Sequence, residues 1–234
     1  MSRSLFFTDT YASSGQEIIL TEEDSRHLVQ VLRKPAGERI WLTDGAGHLM
    51  EAEISEAHKK RCVVTVISLD SAPRDPIALT IAISLIKNTG RFEWFLEKAA
   101  ELGTAEIIPM ICERTEKQQM RHDRLVSICR SAMLQSGQRW LPKIHPVTRC
   151  TDLIEKEYPG RRFIAHCYPA EKVSLQERFL AAPGSCIVLI GPEGDFSPAE
   201  LAAASQHNYE AVSLGSTRLR TETAGIYAAA VCRR

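Results

Sequence analysis

The chain has 234 residues, enough for one large domain or two smaller ones. Its 44% hydrophobic and 25% charged content is that of an ordinary globular protein, which excludes disorder and collagen-like repeats. Lysine plus arginine and aspartate plus glutamate each number 29, so the formal net charge is zero. That excludes nucleic-acid binding by bulk positive charge but not by a local patch.

The first half reads as β structure. Short alternating or β-branched runs lie at 4–8, 17–20, 39–43, 49–54 and 62–69, and Asp44-Gly45-Ala46-Gly47 is a strong hairpin turn between two of them. One helix interrupts, predicted over 24–33, with Leu28, Val31 and Leu32 on one face and a Lys34-Pro35 stop. Short strands at this spacing indicate a small barrel. The N-terminus has no apolar stretch long enough for a signal peptide.

Residues 1–72 carry 8 basic and 11 acidic side chains, and residues 73–234 carry 21 and 18, so a net of −3 faces a net of +3. Two prolines, Pro73 and Pro76, fall at this change and block both helix and strand ladders, which places a domain boundary between 72 and 73.

Beyond it the pattern alternates. Apolar runs at 77–86, 105–111, 162–167, 185–190 and 211–214 alternate with helical patterns at 91–102, 123–136, 174–182, 198–207 and 221–231. The runs are apolar at successive positions, as strands covered on both faces must be, so the expectation is an α/β domain with a mostly parallel sheet. The longest run, 77–86, is about half of a membrane span. Seven cysteines stand at least 17 residues apart, a pattern of buried, reduced thiols in a cytoplasmic protein with no metal spacing.

Three segments carry candidate chemistry. In IVLIGPEGDFS an apolar strand runs into Gly191-Pro192-Glu193-Gly194, and Ser197-Pro198-Ala199-Glu200 then opens a helix with a capping box. A glycine turn at the end of a parallel strand is where such folds bind ligands, although the same residues also make a plain tight turn. In VSLGSTRLRTETA a strand ends at Leu214-Gly215, a turn bears Arg218 and Arg220, and Thr221 is placed to cap a helix. The two arginines suit an anion, or Arg220 pairs structurally with Glu222 or Glu193. Between Glu113 and Arg149, eight basic residues are opposed by three acidic ones and interleaved with His122, Trp140 and His145. That composition fits phosphate contacts with base stacking, or a solvated helix face.

Together these segments resemble one family. GPEG-x-F-S followed about twenty residues later by RTETA, with HLVQVLR at 27–33, SLIKNTGRFEWFLEKAAELG at 84–103 and QSGQRWLPKI at 135–144, is similar to the RsmE family of SAM-dependent 16S rRNA (uracil-N3)-methyltransferases. The resemblance covers nearly the whole chain. It implies a PUA-like β-barrel over 1–72, a trefoil-knotted SPOUT methyltransferase domain over 73–234, a homodimer, and S-adenosyl-L-methionine (SAM) as methyl donor with no metal. It implies a cofactor site made of His166, Cys167, Gly191, Pro192, Glu193, Gly194, Leu214, Gly215, Leu219, Arg220, Thr221 and Thr223, with Arg220 and Glu193 as catalytic groups. The RNA contacts expected on this reading are Arg33, Arg114, Lys117, Arg121, Arg124 and Arg139. Two departures stand out: Asp195 replaces the last glycine of the family's GPEGG, and Arg218 is displaced by one position within LGSTRLRTETA.

Overall fold

The computed structural model describes residues 4–116 and 118–233. The chain divides into two compact units. One runs through Arg74 and takes in Met133–Leu141; the other comprises Asp75–Ala132 and Pro142–Arg234.

The first unit is a five-stranded sheet of β1 (Leu5–Phe7), β2 (Glu17–Ile19), β3 (Arg39–Thr43), β4 (His48–Glu56) and β5 (Val63–Ser71), in the order β1-β3-β4-β5-β2. The predicted hairpin joins β3 to β4. Gly45 and Gly47 take φ of 71° and 94°, and Asp44 Oδ1 accepts from Ala46 N–H at 2.8 Å. Gly47 has no alternative, because a Cβ there would lie 2.5 Å from the Trp140 ring and 2.7 Å from the Ala72 carbonyl. β1 pairs parallel to β3, whereas the other pairings of this sheet are antiparallel. Phe6, Leu28, Ile40, Leu42, Met50, Ile54, Val64 and Val66 fill its core.

The predicted helix over 24–33 is realised differently. α1 (Glu22–Arg26) starts two residues earlier, where Thr21 caps it by accepting from Asp24 N–H. The next turn, His27–Val31, is a π-helix. Of its apolar positions Leu28 is buried, while Val31 and Leu32 are exposed.

In the second unit every strand pairing is parallel. Its elements are β6 (Leu79–Ser84), α2 (Thr89–Glu101), β7 (Glu106–Ile111), α3 (His122–Ser136, which ends in the first unit), β8 (Lys143–Ile144), β9 (Thr148–Arg149), α4 (Cys150–Ile154), β10 (Arg161–Ala165), β11 (Val173–Ser174), α5 (Leu175–Ala181), β12 (Cys186–Ile190), α6 (Pro198–Gln206), β13 (Glu210–Ser213) and α7 (Thr221–Val231). The sheet order is β11-β13-β10-β12-β6-β7-β8, with β9 also on β7. The central strands β6 and β12 are buried at every position, which is why they read as continuous apolar runs rather than alternating ones. Ser197 and Glu200 form the expected capping box of α6, with Pro198 in the first turn.

At helical spacing α7 carries an apolar stripe of Ala224, Tyr227, Ala228 and Val231, of which Tyr227 and Val231 stay half-buried. Ala224 and Ala228 are buried, and at Gly225 the helix comes so close to the core that an added Cβ would stand 2.6 Å from Phe95 and 2.8 Å from Ile83. Both neighbours are fully buried, so neither can yield cheaply. Gly225→Ala should therefore lower stability by about 1–2 kcal/mol, because overpacking outweighs the roughly 1 kcal/mol that alanine gains in helix propensity. A urea midpoint equal to or above that of the parent would refute it.

Candidate functional site

Strand register brings the site together. Ala165 of β10 lies opposite Ile190 of β12 and Val212 of β13, so three strands end level. The segments that follow them, from His166, Gly191 and Leu214, emerge side by side at the carboxyl edge of the sheet, where open α/β sheets hold ligands. Between them lies a cavity of about 740 Å³, within the range of small-molecule sites. His166, Cys167, Gly191, Pro192, Glu193, Leu214, Gly215, Leu219, Arg220 and Thr221 all line it.

Two of the expected cofactor residues do not. Thr223 lies inside α7 away from the cavity lining. Gly194 directs its missing Cβ toward Arg114, 3.3 Å from the Arg114 Cβ, rather than into the cavity. Gly191 is small because a Cβ would press at 3.0 Å on Phe196, and Gly215 because its φ is 131°.

Thr221 does not cap α7. Arg220 occupies the N-cap position without a capping side-chain bond, and the Thr221 hydroxyl instead donates to the Gly191 carbonyl at 2.9 Å. The RTETA and GPEG segments are thereby bonded to each other. Arg218 Nη2 donates to the Glu193 carbonyl at 3.1 Å, so the displaced arginine braces the same loop. Arg220 pairs with neither Glu193 nor Glu222. Among the described residues no hydrogen bond or ion pair engages its guanidinium, and the Glu193 carboxylate is likewise unengaged. The cavity thus holds one uncommitted cation and one uncommitted carboxylate.

The third wall spans the gap between β10 and β11 and has no ladder of its own. Lys172 Nζ donates to the His166 carbonyl at 2.6 Å and to the Tyr168 carbonyl at 2.8 Å. Burial and the nearby Lys172 ammonium push the His166 imidazole below its ordinary value, which favours the neutral ring. Arg114 Nη1 donates to the Tyr168 hydroxyl at 2.9 Å and to the Gly194 carbonyl at 2.8 Å. Asp195 has φ of 64°, a conformation that Asp tolerates better than most residues, and its carboxylate accepts from Cys167 N–H at 2.8 Å.

Residues 73–233 match the model of an RNA methyltransferase domain, and residues 20–67 match an RNA methyltransferase PUA domain. A probable rRNA-methyltransferase from Porphyromonas gingivalis is 36% identical, with a TM-score of 0.88 over 97% of this chain and 95% of that one. The chain belongs to the RsmE family of RNA methyltransferases. A ribosomal RNA small subunit methyltransferase E of Neisseria gonorrhoeae, solved bound to S-adenosyl methionine, is 29% identical, with a TM-score of 0.86 over 98% of this chain and 96% of that one. The Bacillus subtilis ribosomal RNA small subunit methyltransferase E is 26% identical, over 89% of this chain and 86% of its own length. The fold is accordingly a SPOUT methyltransferase domain preceded by a PUA-like domain.

The residues expected to contact RNA in this RsmE member are scattered and mostly partnered. Arg33 is exposed in the first unit with φ of 54°. Arg121 pairs with Asp123 at 2.6 Å, Arg124 with Glu93 at 2.9 Å, and Arg139 with Asp70 at 2.7 Å, while Arg114 braces the cavity wall. Lys117 lies outside the described residues. The interleaved rings are engaged as well. Trp140 lies against Gly47 and under the Arg74 guanidinium, His145 bonds Glu106, and His122 bonds the Ile144 carbonyl. Each of the three rings thus has a partner within the protein.

Sequence reasoning missed Lys172 and Tyr168, which follow no motif, and left Asp195 as an unexplained departure. It also missed a convergence of Cys112, Cys150 and Glu200, whose ligand atoms lie within 4.8 Å of one another in the core. Both Glu200 oxygens already accept backbone N–H groups, from Glu113 at 2.9 Å and Ser197 at 2.8 Å, so the carboxylate there organises the start of α6.

Proposed function

We propose that this protein is a cytoplasmic, homodimeric enzyme that transfers the methyl group of SAM to N3 of an unpaired uridine in the 16S RNA of the small ribosomal subunit. The observation that carries the reading is the cavity where three strands end, with Arg220 and Glu193 uncommitted beside each other's loops. The residues present suit SAM: the cavity has the size, the Gly215 turn leaves open space beside the backbone, and side chains of both signs can meet a zwitterionic, cationic ligand. SAM supplies an electrophilic methyl group on a sulfonium, so no metal is needed. The SAM-bound Neisseria relative supports the same assignment.

Uracil N3 is a poor nucleophile until its proton leaves. Glu193 is the carboxylate placed to take that proton, and Arg220 to favour the negative charge that then spreads over N3, O2 and O4. N3 is hidden in a paired base, so the target is single-stranded or splayed out. No helix among the described residues is long and apolar enough to cross a membrane. The homodimer rests on the family resemblance; Ala224 and Ala228 of the α7 stripe are buried within the protomer, and light scattering at micromolar concentration checks the assembly.

The deciding experiment is mass spectrometry of ribosomal RNA nucleosides from cells with and without the gene. Loss of N3-methyluridine from small-subunit RNA is expected; an unchanged level sinks the proposal. RNA capture should separate from cofactor binding. Arg121→Ala with Arg124→Ala should weaken RNA binding and shallow its salt dependence by up to about two units of log–log slope, less if Asp123 and Glu93 keep these arginines occupied. SAM affinity should be unchanged in the same protein, as neither residue lines the cavity.

A further inference from the structure

The wall from His166 to Ala170 lies beyond the end of β10 and before β11, so no strand ladder holds it against the glycine loop. Its backbone groups must find other partners, and the pairing is asymmetric. Carbonyls of the wall are taken by Lys172, which belongs to the same β10–β11 connection. The amide of Cys167 is taken by Asp195 Oδ2 of the glycine loop, at 2.8 Å, beside the Arg114 bridge from the Tyr168 hydroxyl to the Gly194 carbonyl.

Asp195 is equipped for this reach. Its other oxygen accepts from Phe196 N–H at 2.8 Å, its own N–H donates to the Pro192 carbonyl at 2.9 Å, and its φ of 64° turns the carboxylate back over the loop. Phe196 is fully buried against Gly191, so the carboxylate is anchored to the core at one end and to the 166–170 wall at the other. Glycine would satisfy the backbone here but supplies no acceptor.

We propose that Asp195 is a positioning residue that clasps the Cys167 amide and so sets the width of the cofactor cavity. The proposal rests on the assignment of that cavity to SAM, but the clasp itself is testable without ligand. Cys167 is the exposed thiol, whereas the other six cysteines are buried, so its reactivity reports on the wall directly.

The experiment compares the parent with Asp195→Gly and Asp195→Asn as full-length proteins. Glycine keeps the left-handed backbone and removes both acceptor bonds; asparagine retains one carbonyl acceptor. Labelling of Cys167 by a disulfide reagent without ligand should be several-fold faster in Asp195→Gly and intermediate in Asp195→Asn, with Cys167→Ser as the control for the signal. By calorimetry, affinity for S-adenosylhomocysteine should fall about tenfold in Asp195→Gly, the scale of losing a charge-assisted hydrogen bond, and KM for SAM should rise more than kcat falls. Should Asp195→Gly fail to fold, Asp195→Asn carries the comparison. Parental labelling and parental affinity in both variants would overturn the proposal. Faster labelling in a family of proteins none of which binds S-adenosylhomocysteine would uphold the clasp and remove the cofactor assignment instead.

Discussion

Arg220→Ala should lower single-turnover methyl transfer at saturating SAM by about 10²–10³-fold, equivalent to about 2.7–4 kcal/mol of transition-state stabilisation. The magnitude follows from what the arginine does not do. It sits at the N-cap of α7 without a capping bond, lines the cavity, and has no partner among the described residues. Its charge is therefore available to the reacting base, and its removal breaks no structural contact. RNA binding should fall much less, and the melting temperature should hold. Arg220→Lys keeps a charge but not the planar fork, so it should recover only part of the loss. Filter binding beside single-turnover transfer on purified small subunits separates these effects. Near-normal transfer in Arg220→Ala would show that another group carries the charge.

Glu193→Gln should cost about 10²–10⁴-fold in the same assay, the range for removing a positioned general base. The carboxylate has no scaffolding bond that its removal would break. The loop is held by Arg218 on the Glu193 carbonyl and by Thr221 on the Gly191 carbonyl, leaving the carboxylate itself free. Glutamine keeps size and polarity, so cofactor affinity should stay within about twofold. The pH dependence gives the sharper reading. Without the base, transfer must wait for the N3 proton to dissociate to solvent, so the Glu193→Gln rate should climb about tenfold per pH unit in alkaline buffer while the parent changes less. A variant whose pH profile parallels that of the parent would assign proton removal elsewhere.

The local chemistry of this protein is legible in its residues. Gly45 and Gly47 announce a hairpin because few other residues take positive φ there. Ser197, Pro198 and Glu200 announce a helix start because each satisfies or forgoes a particular backbone group. The apolar runs of β6 and β12 announce a sheet covered on both faces. The two site motifs are legible for the same reason, since each is a short turn whose own sequence determines its shape.

Tertiary structure decided what depends on distance along the chain. No local pattern places β12 between β6 and β10, yet that order is what levels Ala165, Ile190 and Val212 and makes one cavity of three loops. The return of Met133–Leu141 to the first unit, where Trp140 packs on Gly47, is likewise invisible to composition. Hydroxyls and carboxylates are the least readable of all. Thr221 had the sequence of a cap and bonds Gly191 instead; Asp195 looked like a lapse in a motif and reaches Cys167. A polar side chain has several local uses of nearly equal energy, and only the arrival of a partner from another strand selects among them.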